Sequence, residues 1–246
     1  MLQATKAAAP QGEFHLLDIA SGPGEPGRLI AQNMPEALVV VSDVSPDQVE
    51  KAKERCADVA NVRCAVVDLQ DMSQFPDASF DVVTACYGYM FPEDKSKAFQ
   101  ETFRVLRPGG TLIMTYWRQL IMLEICKTTM TAALGRTPPP PPINPLSLSA
   151  PGLVEEFCET AGFSSISIVE DEYPFDFGSE DEIIFKLVTL PVSSVLSEME
   201  EDGRHVEVQR GKTAFWEALS AACERQPDGR VVLEGNRFAL AVARKA

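Results

Sequence analysis

The chain has 246 residues, 45% of them hydrophobic, enough for one sizeable α/β core or a core with a small cap and too few for two equal domains. Its 22 basic and 36 acidic residues leave a formal charge of −14, which repels nucleic acid and anionic lipid unless a basic patch overrides it, and none is visible. No apolar run reaches the roughly 18 residues of a membrane span, the first ten residues lack the apolar centre of a signal peptide, and the six cysteines are too dispersed for paired zinc spacing.

These exclusions leave a cytoplasmic protein with reduced thiols, no metal, no nucleic acid and no membrane span as the expectation. The oligomeric state stays open.

The first strand, Phe14 to Leu17, runs into Asp18 and then Ile19, Ala20, Ser21, Gly22, Pro23, Gly24, Glu25, Pro26, Gly27. Gly22, Gly24 and Gly27 have the spacing of a dinucleotide fingerprint, and Asp43 follows where an acid would hold ribose hydroxyls. Pro23 and Pro26, however, remove two of the backbone donors that a pyrophosphate needs, and a carboxylate at Asp18 repels a diphosphate while attracting a cation. S-adenosyl-L-methionine carries a sulfonium, an ammonium and a ribose diol, and Asp18 and Asp43 suit the last two. A nicotinamide-dependent oxidoreductase survives only on the glycine spacing.

The helix after Asp43 is announced by Ser45 as cap, Pro46 at the first helical position and Gln48 to complete a capping box. A third strand, Val62 to Val67, ends at Asp68, and a fourth, Phe80 to Cys86, reads as buried on both faces. Ligands of open α/β sheets bind beyond the carboxyl ends of the strands, so the acids at 18, 43 and 68 are expected to converge on one crevice. A helix from about Glu93 to Leu106 stops at Pro108, Gly109 and Gly110, a turn that feeds a fifth strand, Thr111 to Tyr116. The alternation over 14–117 predicts a parallel sheet with helices on both faces, the cofactor-binding half of a single domain covering 1–246.

Beyond it a helix from Gln119 to Leu134, closed by Gly135, leads to five prolines at 138–142, either a spacer or a lid hinge. Leu153 to Ala161 is helical, Ser164 to Val169 is a strand, and two further helices are expected over about Glu182 to Met199 and Thr213 to Glu224 before a last strand, Phe238 to Arg244. Segments 118–150 and 178–228 are thus expected as helical caps over a substrate.

LLDIASGPGEPG at 16–27, VVVSDVSPDQVEKAK at 39–53, DASFDVVTACYGYMFPEDKSKAFQETFRVLRPGG at 77–110 and FRVLRPGGTLIMTYW at 103–117 together resemble the class I S-adenosylmethionine-dependent methyltransferases. Within them it looks like the small-molecule branch, which resembles the quinone-biosynthesis C-methyltransferases. The resemblance implies a Rossmann-like α/β fold with a seven-stranded, mostly parallel sheet whose last strand is antiparallel and inserted between the fifth and sixth.

It also implies site roles. Asp18 would bind the methionine ammonium through water, while the backbone of the loop holding Ala20, Ser21, Gly22 and Gly24 would admit the methionyl end. Asp43 would take both ribose hydroxyls, and Val44 and Gln48 would flank the adenine. Asp68 would accept from the adenine amine, Leu69 would offer a backbone donor, and Cys86 and Tyr87 would close the methionine side. Two departures stand out. Only thirteen residues precede the first strand, where the family has some tens of helical residues, and Tyr87 to Pro92 differ from the quinone enzymes' segment, so a quinone acceptor does not follow.

Methyl transfer from a sulfonium is an in-line displacement that requires alignment and exclusion of water but no catalytic side chain. Should an acceptor need a base, the candidates are Tyr87, Tyr89, Tyr116 and His205; His15 reads as structural, and Met122 and Met130 as core or as an adaptable apolar wall. The expectation is methyl transfer to a small molecule. The alternative is a protein of the same fold that binds the cofactor without turnover and serves as a binding partner, suggested by the short N-terminal cover.

Overall fold

A computed structural model describes residues 1–140 and 143–246. It comprises two compact units, the first made of Met1–Trp117, Ile143–Glu170 and Ala239–Ala246, the second of Arg118–Pro142 and Asp171–Phe238. Residues 143–150, expected in the cap, therefore belong with the sheet, while 171–177 and 229–238 go with the helices.

The first unit is built on β1 (Phe14–Asp18), β2 (Ala37–Asp43), β3 (Val62–Val66), β4 (Phe80–Cys86), β5 (Leu106–Gln119), β6 (Ser165–Glu172) and the last strand β9 (Arg237–Arg244), arranged β3-β2-β1-β4-β5-β9-β6. Strands β1 to β5 pair in parallel. Phe14 and Leu16 of β1 and Val39 and Val41 of β2 enter the core on one face of the sheet, whereas Leu17 and Val40 enter the core on the other. Burial on both faces explains why these strands read as continuous apolar runs. β9 alternates likewise, with Ala239, Ala241 and Ala243 on one side and Leu240 and Val242 on the other.

β9 lies between β5 and β6 and runs against them, as the resemblance implied. Gly109 N–H donates to Lys245 O and Lys245 N–H to Gly110 O, each at 2.9 Å, while Ser164 N–H meets Arg244 O at one end and Tyr173 N–H meets Asn236 O at the other.

Helices α2 (Gly27–Asn33), α3 (Pro46–Arg55), α4 (Lys95–Val105) and α6 (Leu153–Ala161) complete this unit, together with α1 (Leu2–Ala8), which the sequence reading did not anticipate. Thr5 of α1 is fully buried, and Met1 and Leu2 pack against the core that holds Phe14. α4 starts two residues later than expected because Asp94 caps it, accepting the Lys97 N–H at 2.9 Å. The Pro108–Gly110 segment does not separate helix from strand. β5 begins at Leu106 and passes through it, with Gly109 at φ +80° and the pairing to β4 stepping from Phe80↔Leu106 to Val82↔Thr111. A β-bulge absorbs the extra residues.

The second unit holds α5 (Ile121–Leu134), α7 (Asp181–Val188), α8 (Ser193–Glu201), α9 (His205–Ala222) and a two-stranded pair, β7 (Phe175–Asp176) with β8 (Val232–Leu233). Pro191 splits the single helix expected over 182–199, since it cannot continue a helical ladder, and a 3-10 turn at Leu190–Val192 joins the halves. This unit has its own apolar clusters, one around Ile125, Ile184, Phe215 and Leu233 and one around Met130, Leu196 and Val208. Met122 and Met130 are packed into them. Of the five prolines, Pro141 and Pro142 lie outside the described residues.

Among the described residues no helix is long and apolar enough to cross a membrane, no cluster of three metal-ligating side chains occurs, and all six cysteines are free.

Candidate functional site

Asp18, the last residue of β1, is fully buried. Its Oδ1 accepts the hydroxyl of Thr84, its neighbour on β4, at 2.6 Å, and its Oδ2 accepts the Gly27 N–H at 2.7 Å and the Ser21 hydroxyl. Burial pushes its carboxyl up to about 6 despite these donors. Gly27 presses on it closely: a Cβ there would lie 2.8 Å from Asp18 Oδ2 and 2.7 Å from Val41 Cγ2.

The carboxylate thus ties the loop between β1 and α2 to the sheet. Ser21 and Gly24 share this structural placement, both buried, with Ser21 N–H on Ser42 O at 2.8 Å and Gly24 N–H on Ser21 O at 3.0 Å. Asp18, Ser21 and Gly24 are not among the residues that line the adjoining cleft.

That cleft, about 580 Å³, opens at the carboxyl ends of β1, β2 and β4. Ala20 and Gly22 form its floor, Asp43, Val44 and Gln48 one wall, Asp68 and Leu69 a second, and Cys86 and Tyr87 a third. Nine of the twelve residues expected at the cofactor are therefore gathered around one cavity.

Asp43 links two of these segments, its Oδ2 accepting Gly22 N–H and its Oδ1 accepting Ser45 N–H, both at 2.9 Å. The Ser45 hydroxyl caps α3 through Gln48 N–H at 3.4 Å, as expected. The reciprocal half of the capping box is absent, because Asp43 has taken the Ser45 N–H and the Gln48 side chain is left beside the cleft. Asp68 accepts Gln70 N–H at 2.8 Å through Oδ1.

On the third wall Tyr87 holds a left-handed backbone, φ +56°, uncommon for an aromatic residue. Its N–H is shared between Thr115 O at 3.1 Å and Thr115 Oγ1 at 3.2 Å, and its ring stacks on Trp117 at 4.2 Å and 10°. Ala20 is also left-handed, φ +55°, and its Cβ would lie 2.8 Å from a Cβ on Gly88, so only glycine fits at 88. Desolvation holds the Cys86 thiol above its usual range.

Other candidates lie elsewhere. Tyr89 is fully buried, its hydroxyl bonded to Thr102 Oγ1 and held far above the usual phenol range by burial, which gives it a packing role. Tyr116 is buried in the same core. His205 is exposed at the start of α9 in the second unit and does not line the cleft. His15 is half-buried on β1, its N–H donating to Asp81 Oδ2.

The sequence reading missed the apolar mouth, formed by Phe91, Pro92 and Ile143, and the lining positions Gln70 and Gly88. Gln70 could have been found from its place two residues after Asp68. Ile143 carries no local signal, since it reaches the cleft only through the fold.

Chemically the cleft has two carboxylates and, among the described residues, no basic side chain. It favours a ligand with positive charge. The loop offers little to a phosphate, because the N–H groups of Ser21, Gly22, Gly24 and Gly27 all have partners within the chain. Gly22, at φ +54°, leaves open space where a Cβ would stand, so its backbone can be approached closely. A volume of this size lies in the range, about 300–1,000 Å³, that encloses a small organic ligand.

Residues 16–110 match a family described as methyltransferase domain. The chain is 30% identical over 113 residues to the demethylmenaquinone methyltransferase of Thermus thermophilus, covering 46% of this chain and 51% of that protein. It is 30% identical over 129 residues to the ubiquinone/menaquinone biosynthesis C-methyltransferase UbiE of Proteus mirabilis, covering 50% of each. The chain spans about half the length of the curated relatives it matches. Among solved structures it resembles the YcgJ protein of Bacillus subtilis with a TM-score of 0.61, 18% identity and coverage of 99% of this chain and 96% of that one. That likeness shows the shared fold.

Proposed function

We propose that this chain, which carries a class I S-adenosylmethionine-dependent methyltransferase domain, moves the methyl group of S-adenosyl-L-methionine onto a small-molecule acceptor. The observation that carries the reading is the acidic cleft at the strand ends, where Asp43 stands between the Gly22 and Ser45 amides with lone pairs left over for a vicinal diol.

When bound, the sulfonium supplies an activated methyl group. The chain has to hold it and keep water away. Asp43 takes the two ribose hydroxyls, Val44 and Gln48 flank the base, and Asp68 accepts from its exocyclic amine. The open backbone at Ala20 and Gly22 receives the methionyl end, and the Cys86–Tyr87 backbone closes over it. Asp18 acts from behind, by holding this loop in place and adding negative charge near the ammonium. The acceptor would enter past Phe91, Pro92 and Ile143, which would bring its nucleophilic atom up to the activated methyl group. The names of the relatives, which specify C-methylation and demethylmenaquinone, support an acceptor of small-molecule size.

Calorimetric titration tests the reading. S-adenosylhomocysteine is expected to bind at one site per chain and NAD to give no heat; the reverse pattern overturns it.

A further inference from the structure

A second cavity, about 570 Å³, lies at the amino ends of β1, β3, β4 and β5, on the opposite rim of the sheet from the cleft. His15, Arg63, Phe80 and Arg107, each the first or second residue of its strand, line it together with the loop over 74–79. Phe75 and Phe80, packed edge to face at 5.0 Å and 86°, make its floor. The polar groups of the loop are satisfied within the chain. The N–H groups of Phe75, Ala78 and Ser79 meet the carbonyls of Met72, Arg104 and Val105, Gln74 Nε2 donates to Val66 O at 2.9 Å, and the Ser79 hydroxyl donates to Pro76 O at 2.7 Å. The cations are not. Arg107 Nε–H donates to Ala78 O at 3.3 Å and its Nη1 to the Asp81 carboxylate, which leaves Nη2 with no acceptor among the described residues. Arg63 holds its guanidinium carbon 5.9 Å from the centre of the Phe75 ring, and none of its side-chain N–H groups has an acceptor among the described residues. The His15 imidazole is likewise unbonded among them. Asp77, the one carboxylate of the lining, is paired with Arg104 at 2.8 Å.

We propose that this cavity is a second ligand site, taking a small aromatic carboxylate with its ring against the Phe75–Phe80 floor and its carboxylate on Arg63 and Arg107. The volume lies in the range, about 300–1,000 Å³, that holds a small organic ligand. A guanidinium fork matches the two oxygens of a carboxylate, and its flat face also stacks on a ring. Phosphate fits less well, because the loop amides that would bond its further oxygens are already taken. A neutral ring would cover the Arg63 donors without supplying them an acceptor. The cleft at the other rim has two carboxylates and no basic side chain, whereas this cavity sets two guanidiniums and an imidazole against one paired acid. The two sites therefore select ligands of opposite charge. This inference is independent of the function proposed for the cleft.

The test titrates 2-naphthoate, 2-naphthalenemethanol and inorganic phosphate into the full chain and its Arg63→Gln variant by calorimetry, and follows amide hydrogen exchange over 74–80 and 43–48. Arg63 is exposed, so its replacement leaves the core intact, which circular dichroism verifies. Expected for the wild type are saturable naphthoate binding, slower exchange over 74–80, and binding of the alcohol and of phosphate weaker by about tenfold or more. Arg63→Gln should weaken naphthoate binding by about tenfold or more. No naphthoate binding, protection over 43–48 in place of 74–80, alcohol or phosphate bound as tightly as naphthoate, or unchanged affinity in Arg63→Gln overturns the proposal.

Discussion

The Asp43 carboxylate accepts the Gly22 N–H at 2.9 Å, joining the tip of β2 to the turn that follows β1. One side chain therefore sets the width of the cleft and presents charge within it.

Asp43→Ala removes that link and the acceptor for a ribose diol. Hydrogen bonds to a charged group contribute about 1.5–3 kcal/mol each, so S-adenosylhomocysteine affinity should fall about a hundredfold or more by calorimetry, while circular dichroism still reports a folded chain. Affinity within threefold of wild type would remove Asp43 from the site.

Gly22 and Gly27 should respond differently to the same substitution. Gly27→Ala drives a methyl against Val41 and Asp18 and should cost about 1–3 kcal/mol in urea unfolding. Gly22→Ala meets no atom within 4 Å and costs only the left-handed strain, about 1 kcal/mol, yet it places a methyl at the cleft and should weaken ligand binding at least tenfold. Equal effects on stability and binding for both variants would contradict these placements.

Asp18 gives stability a pH signature. Its carboxyl is raised from 3.8 to about 6 in the folded chain, so its favourable contribution is complete below about 3.8 and is lost as pH rises through about 6. A shift of this size corresponds to ~3 kcal/mol. Unfolding free energies of wild type and Asp18→Asn, compared at pH 5 and pH 7.5, should show the wild type losing ground to the variant at the higher pH. A difference that stays flat or changes in the opposite direction would count against the raised carboxyl.

Tyr89→Phe separates packing from chemistry. Thr102 Oγ1 keeps its own bond to Ala98 O at 2.9 Å, so the loss should be about 1 kcal/mol in stability, with ligand affinity unchanged. A change in affinity would place the phenol at the site after all.

Local chemistry announced much of this. Ser45 and Pro46 marked the start of α3, Gly135 and Gly162 marked helix ends, and the acids after three strands pointed to one rim. What stayed hidden depended on partners distant in the chain. Asp18 disappears from the cleft because Thr84, 66 residues away, and Gly27 bury it, and nothing near Asp18 in sequence says so. Gln48 is released from its cap by an acid on the preceding strand, a competition that a capping pattern cannot display. Ile143 reaches the cleft only because the segment after the prolines packs back on the sheet unit, with Ser147 Oγ donating to Met90 O at 3.1 Å.

The apolar clusters of the second unit draw only on residues of that unit. A substitution among these residues therefore acts first on the packing of that unit itself. The family match over 16–110 falls wholly within the other unit, whose packing such substitutions do not enter through these clusters.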